Sequence, residues 1–118
     1  MLLALIGVLA ASQAVQPKDP CDSARTTLGA RTCLGREVDV LERGLAVALD
    51  AARTRLGRAG PVDSAQRAWE AYRSAQCHAS ALEYAGGTEQ SVAEIACWRT
   101  LTVQRVAEVR GMYRTGSR

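Results

Sequence analysis

Four cysteines, Cys21, Cys33, Cys77 and Cys97, limit the folds open to this chain more than any other feature of it. No two of them form a Cys-x-x-Cys pair, so neither a zinc ribbon nor a thioredoxin-type redox site has its local signature. An even count in a small exported domain signals disulfides instead. Export is indicated by Met1 to Ala14, MLLALIGVLAASQA, an apolar run that ends with Ser12 and Ala14 at the small-residue positions a signal peptidase requires. The run is short for a bilayer span, and polar residues follow from Gln16. A cleaved signal over residues 1–14 is therefore expected, with no stable membrane anchor afterwards and a periplasmic or secreted destination. No Lys or Arg precedes the run, and Cys21 follows Lys-Asp-Pro, which is no lipid-attachment context. Four cysteines allow three pairings. Cys21 with Cys33 and Cys77 with Cys97 is the pairing expected, because each closes a short loop between elements that should be neighbours. Each bridge would contribute about 2 to 4 kcal/mol in the chain-entropy model.

The 118 residues suffice for one domain, and cross-links matter in a domain of this size because only a limited fraction of its surface is buried. Aromatic residues make up only 4% and Phe is absent, so Ala, Leu and Val must form the core. Small side chains of this kind suit closely packed helices. The apolar periodicity agrees. Leu34, Val38, Leu41, Leu45, Ala48, Ala52 and Leu56 recur at three- and four-residue steps, the pattern of one helix face. Thr26 or Thr27 is placed to cap that helix, Gly29, Gly35 and Gly44 invite a kink or break before Arg36, and Gly57 to Pro61 ends it. A second helix is predicted from an N-cap at Asp63 or Ser64 to about Tyr84, closed by Gly86-Gly87. A third follows, capped by Thr88 or by a Ser91-to-Glu94 capping box, with Val92, Ile95, Leu101 or Thr102, Val106, Val109 and Met112 on its apolar face.

The fold class expected is thus all-α: a small antiparallel three-helix bundle, up-down-up, cross-linked by two disulfides. Its divisions are a signal peptide at 1–14, a linker with two prolines at 15–21, the helical domain at 22–113 and a disordered tail at 114–118.

Little in the chain points to catalysis. His78 is the single histidine and has no free nucleophile or companion ligand if the cysteines are bridged. Glu70, Glu83, Glu89 and Glu94 are not spaced to form an acid and base pair, and read as solvated helix faces. No metal or cofactor is expected, and Gly86-Gly87 lacks the companions of a phosphate loop. The net charge of +3 comes from arginines interleaved with acids, unlike the basic patch of a nucleic-acid binder. Trp69, Tyr72 and Trp98 read as core anchors in a chain so poor in aromatics.

One pattern is specific. Ala65-Gln66-Arg67-Ala68-Trp69, then Tyr72-Arg73 and Cys77, is followed by Gly86-Gly87 and by Cys97, Leu101-Thr102, Arg105 and Glu108-Val109. It resembles the N-terminal domain of LprI-like lysozyme inhibitors. Upstream, Cys21, Cys33, Glu42 and Leu45 are similar to the family's elements more loosely, with Ala46 where Asn is usual and Leu49 where Tyr is usual. The resemblance implies a disulfide-stabilised helical domain outside the cytoplasm that binds and inhibits a lysozyme or related muramidase and is no enzyme. The alternatives are a non-inhibitory interaction module of the envelope and an immunity protein against a wall-degrading effector. The matching residues Gln66, Trp69, Tyr72, Arg73, Gly86, Gly87, Leu101, Thr102, Arg105 and Glu108 read as structural. At +3 the chain is not steered toward a basic lysozyme, so binding requires a local acidic surface or an apolar anchor.

Overall fold

Helix formers fill the segments between the glycine turns, and each segment forms one helix. The computed structural model describes residues 19–112; the expected signal peptide, most of the linker and the tail lie outside them. Helix α1 is Thr27–Leu56, α2 is Gly60–Ala81 and α3 is Glu89–Met112, with a short 3₁₀ turn, Leu82–Tyr84, between α2 and α3. The bundle is all-α with two disulfides, as expected.

Helix α1 begins at the Thr26 cap, whose hydroxyl accepts from the Gly29 N–H at 2.9 Å. It then runs unbroken for 30 residues. The break anticipated before Arg36 is not found, since packing along the length of α3 outweighs a propensity cost of about 1 kcal/mol per glycine. Gly57 ends the helix in the left-handed region, φ +67°, which glycine enters without a Cβ clash.

Helix α2 starts earlier than the Asp63 or Ser64 cap predicted, at Gly60, with Pro61 in its first turn. Proline favours that position because its missing N–H would have no intrahelical acceptor there. Asp63 instead lies in the first turn, where a carboxylate suits the positive end of the helix dipole, and accepts from Arg53 at 2.7 Å across the α1–α2 turn. Helix α3 likewise starts at Glu89, so Ser91 is inside the helix and its hydroxyl donates to the Thr88 carbonyl rather than forming a capping box.

Helix α3 is central. It packs against both α1 and α2, which touch each other little. Glu37 meets Arg99 and Gly35 approaches Ile95, so α1 and α3 run parallel, while Gln66 meets Arg105 and Cys77 meets Cys97, so α2 runs against α3. The apolar core lies toward the α1–α2 turn: Leu45, Ala48, Leu49 and Ala52 of α1, Val62 of α2, and Val106 and Val109 of α3. Leu56 and Met112, expected on apolar faces, are exposed because they fall past the region where the helices overlap.

The opposite half of the bundle is held differently. Cys77 and Cys97 join α2 to α3, and Cys21 and Cys33 join the turn before α1 to α1 itself, with Cα separations of 5.4 and 5.6 Å. Covalent links stand where the apolar core is thin.

Candidate functional site

Between those halves lies a polar layer. Arg73 of α2 is buried, and its Nη1 donates to a Glu42 carboxylate oxygen of α1 and to Thr102 Oγ1 of α3 at 2.9 Å. The Thr102 hydroxyl in turn donates to the Trp98 carbonyl at 2.6 Å. Two indoles enclose the guanidinium, with their ring centres 4.6 Å (Trp69) and 3.9 Å (Trp98) from Arg73 Cζ. This is cation–π geometry, and it offsets part of the cost of burying the charge. Arg105, also buried, donates through Nε to Gln66 at 3.1 Å and through Nη1 to Glu108 at 2.6 Å.

The residues singled out by sequence therefore fall into three groups. Gln66, Trp69, Arg73, Thr102, Arg105 and Glu108 come together in or beside this layer. Leu101 is half-buried on α3, and Gly86 and Gly87 form the α2–α3 turn. Tyr72 departs from the core expectation: it is 53% exposed, because a step of three from Trp69 carries it past the edge of the face that α3 covers. Trp69 is half-buried and packs against the apolar core. Sequence reasoning did not identify Glu42 as the acceptor for Arg73. Its signal was a carboxylate three residues before Leu45 and four after Val38, on the flank of α1's apolar face.

On the outer face, a groove of about 790 Å³ runs between α1 and α3. Val40, Leu41 and Val103 form its apolar wall, Arg36 and Gln104 its rim. At one end Arg99 pairs with Asp19 and, at 3.0 Å, with Glu37. Residues 20–23 form a turn that Asp19 ties to the bundle, with Cys21 buried. The Asp19 carboxyl is held below its ordinary pKa, first by the Cys21 N–H, which donates to it at 2.8 Å, and then by Arg99. A carboxyl depressed in the folded state stabilises the fold above its unfolded pKa of about 4, and that contribution disappears as pH falls through the lower folded value. Asp19→Asn is accordingly expected to narrow the Tm difference between pH 6 and pH 3; an unchanged difference would remove Asp19 from the acid response.

The groups weighed for catalysis on sequence are not brought together among the described residues. All four cysteines are bridged, so none offers a thiolate. His78 is exposed on α2. The carboxylates weighed as an acid and base pair are dispersed: Glu70 accepts from Gln66, Glu83 sits in the 3₁₀ turn, and Glu89 and Glu94 lie on α3.

The α2–α3 turn, at the far end of the bundle from the apolar core, is the other exposed feature. Leu82 and Tyr84 are 52% and 47% exposed there. The expected second helix runs to about Tyr84, which puts both residues in its last turn before Gly86-Gly87.

Compared with known proteins, the chain matches the family model described as Lysozyme inhibitor LprI over residues 19–109, most of its length. No curated protein and no solved structure matches it.

Proposed function

This chain belongs to the lysozyme inhibitor LprI family, and on that premise we propose that it is an exported binding protein that inhibits a lysozyme or related peptidoglycan-cleaving muramidase by occluding its substrate cleft. The family match over residues 19–109 carries the reading. Two disulfides suit an oxidising compartment and hence a periplasmic or secreted location. No helix among the described residues is long and apolar enough to cross a membrane. A groove between α1 and α3 and an exposed α2–α3 turn are surfaces on which a partner could be bound.

The test is a cell-wall turbidity assay with the purified, oxidised protein titrated against c-type and g-type lysozymes. Lysis should slow in proportion to the protein added. Unchanged lysis at large molar excess against every lysozyme tested would refute inhibition. The +3 net charge favours a second reading, a non-inhibitory interaction module of the envelope, because it does not steer the protein toward a basic enzyme. An immunity protein against a wall-degrading effector is the protective form of the first reading.

A further inference from the structure

The charge of this chain is unevenly placed. From Ser74 to Trp98 there is no Lys or Arg, while Glu83, Glu89 and Glu94 all fall in that stretch. The stretch contains the α2–α3 turn, so this end of the α2–α3 hairpin carries carboxylates and no Lys or Arg of its own, and the nearest cations are Arg25 and Arg31 at the start of α1. Of the groups packed near it, Thr27 of α1 donates to Glu89 at 3.4 Å, and Arg31 of α1 lines a small groove together with Glu94. Glu83 is exposed at the turn itself.

The tip is also held in shape. The Ala85 N–H donates to the Leu82 carbonyl at 3.1 Å and the Gly87 N–H to the Tyr84 carbonyl at 3.0 Å. Gly86 takes φ +82°, which a side chain would oppose. The bridge from Cys77 to Cys97 closes the loop that contains the turn. A turn fixed in this way loses little conformational freedom on binding. Its two exposed large side chains are Leu82 and Tyr84. A tyrosine ring has apolar faces and a hydroxyl at its edge, much as a sugar ring does.

Resting on the inhibitor reading above, we propose that the α2–α3 tip is the part of this protein that enters the muramidase cleft, with Leu82 and Tyr84 as anchors and Glu83 and Glu89 against a positively charged rim. A muramidase cleft holds a pair of catalytic carboxylates, which disfavours acidic side chains at its floor and favours uncharged anchors. An enzyme that works on an anionic wall gains from a positive field around its cleft, and the tip is where this chain complements such a field.

The double variant Leu82→Ala/Tyr84→Ala should inhibit at least about thirtyfold more weakly than the wild type against whichever c-type or g-type lysozyme the wild type inhibits best. Glu83→Gln should slow association at low salt, with the difference vanishing at high salt. Val47→Ala, a site 69% exposed on α1, should change neither. Wild-type inhibition by the double variant would overturn the proposal and leave the inhibitor reading standing. Absence of both inhibition and binding by the wild-type protein would overturn both. Should the double variant have a lowered Tm, a photo-crosslinking residue at Tyr84 decides: attachment to cleft peptides of the lysozyme supports the proposal, and attachment elsewhere overturns it.

Discussion

Reducing both disulfides is expected to unfold this protein at ambient temperature. The bridges join residues 12 and 20 positions apart in sequence, and loops of that length correspond to about 3 kcal/mol each in the chain-entropy model. Together they supply about 6 kcal/mol, against a total stability of about 5 to 15 kcal/mol for a typical domain. The apolar cluster has little reserve, because its residues are Ala, Val and Leu gathered toward one end. Denaturant unfolding followed by far-UV circular dichroism, with and without dithiothreitol, measures the loss. Replacing only Cys77 and Cys97 by Ala should cost about half of it and loosen the α2–α3 tip, visible as faster amide exchange between Leu82 and Thr88. An unchanged midpoint after complete reduction would mean that the helices hold together without covalent help.

The second large effect is expected at Glu42 and is asymmetric. Arg73 is almost wholly buried, whereas the Glu42 side chain is 38% exposed. Removing the carboxylate with Glu42→Leu leaves a buried guanidinium with only Thr102 and two indole faces, and should cost about 3 kcal/mol. Arg73→Met removes the buried charge, and Glu42 can then turn to water, so this variant should cost less. The double variant should recover most of the Glu42→Leu loss. A thermodynamic cycle of the three variants measures the coupling. Additive losses would show that the ion pair contributes nothing beyond packing. The same comparison asks whether the polar layer serves stability or register: a double variant that is stable yet loses a single ordered state would assign the layer to register.

The helix count and the positions of the turns were readable from apolar spacing and from Gly57, Gly60, Pro61, Gly86 and Gly87, because these signals are local. Boundaries were less so. Asp63 satisfied the rules for an N-cap, yet its carboxylate is taken by Arg53 of the preceding helix and α2 starts at Gly60. The glycines of α1 signalled a break that packing against α3 prevents. Tyr72 reads as core from its place beside Trp69, but its three-residue step carries it past the edge of the face that α3 covers.

The sequence by itself determined the all-α class, the three helices and the family signature around Trp69 and Cys77, since helix propensity, glycine geometry and residue spacing act within a few residues of chain. Tertiary structure alone decided that α3 is the central helix, that Arg73 is enclosed by Glu42, Thr102 and two tryptophans, and that Leu82 and Tyr84 are left exposed beyond the Cys77–Cys97 bridge. Those facts join residues up to 60 or more positions apart in sequence, as Glu37 and Arg99 are at a separation of 62, and pairings of that kind are set by how whole helix faces dock.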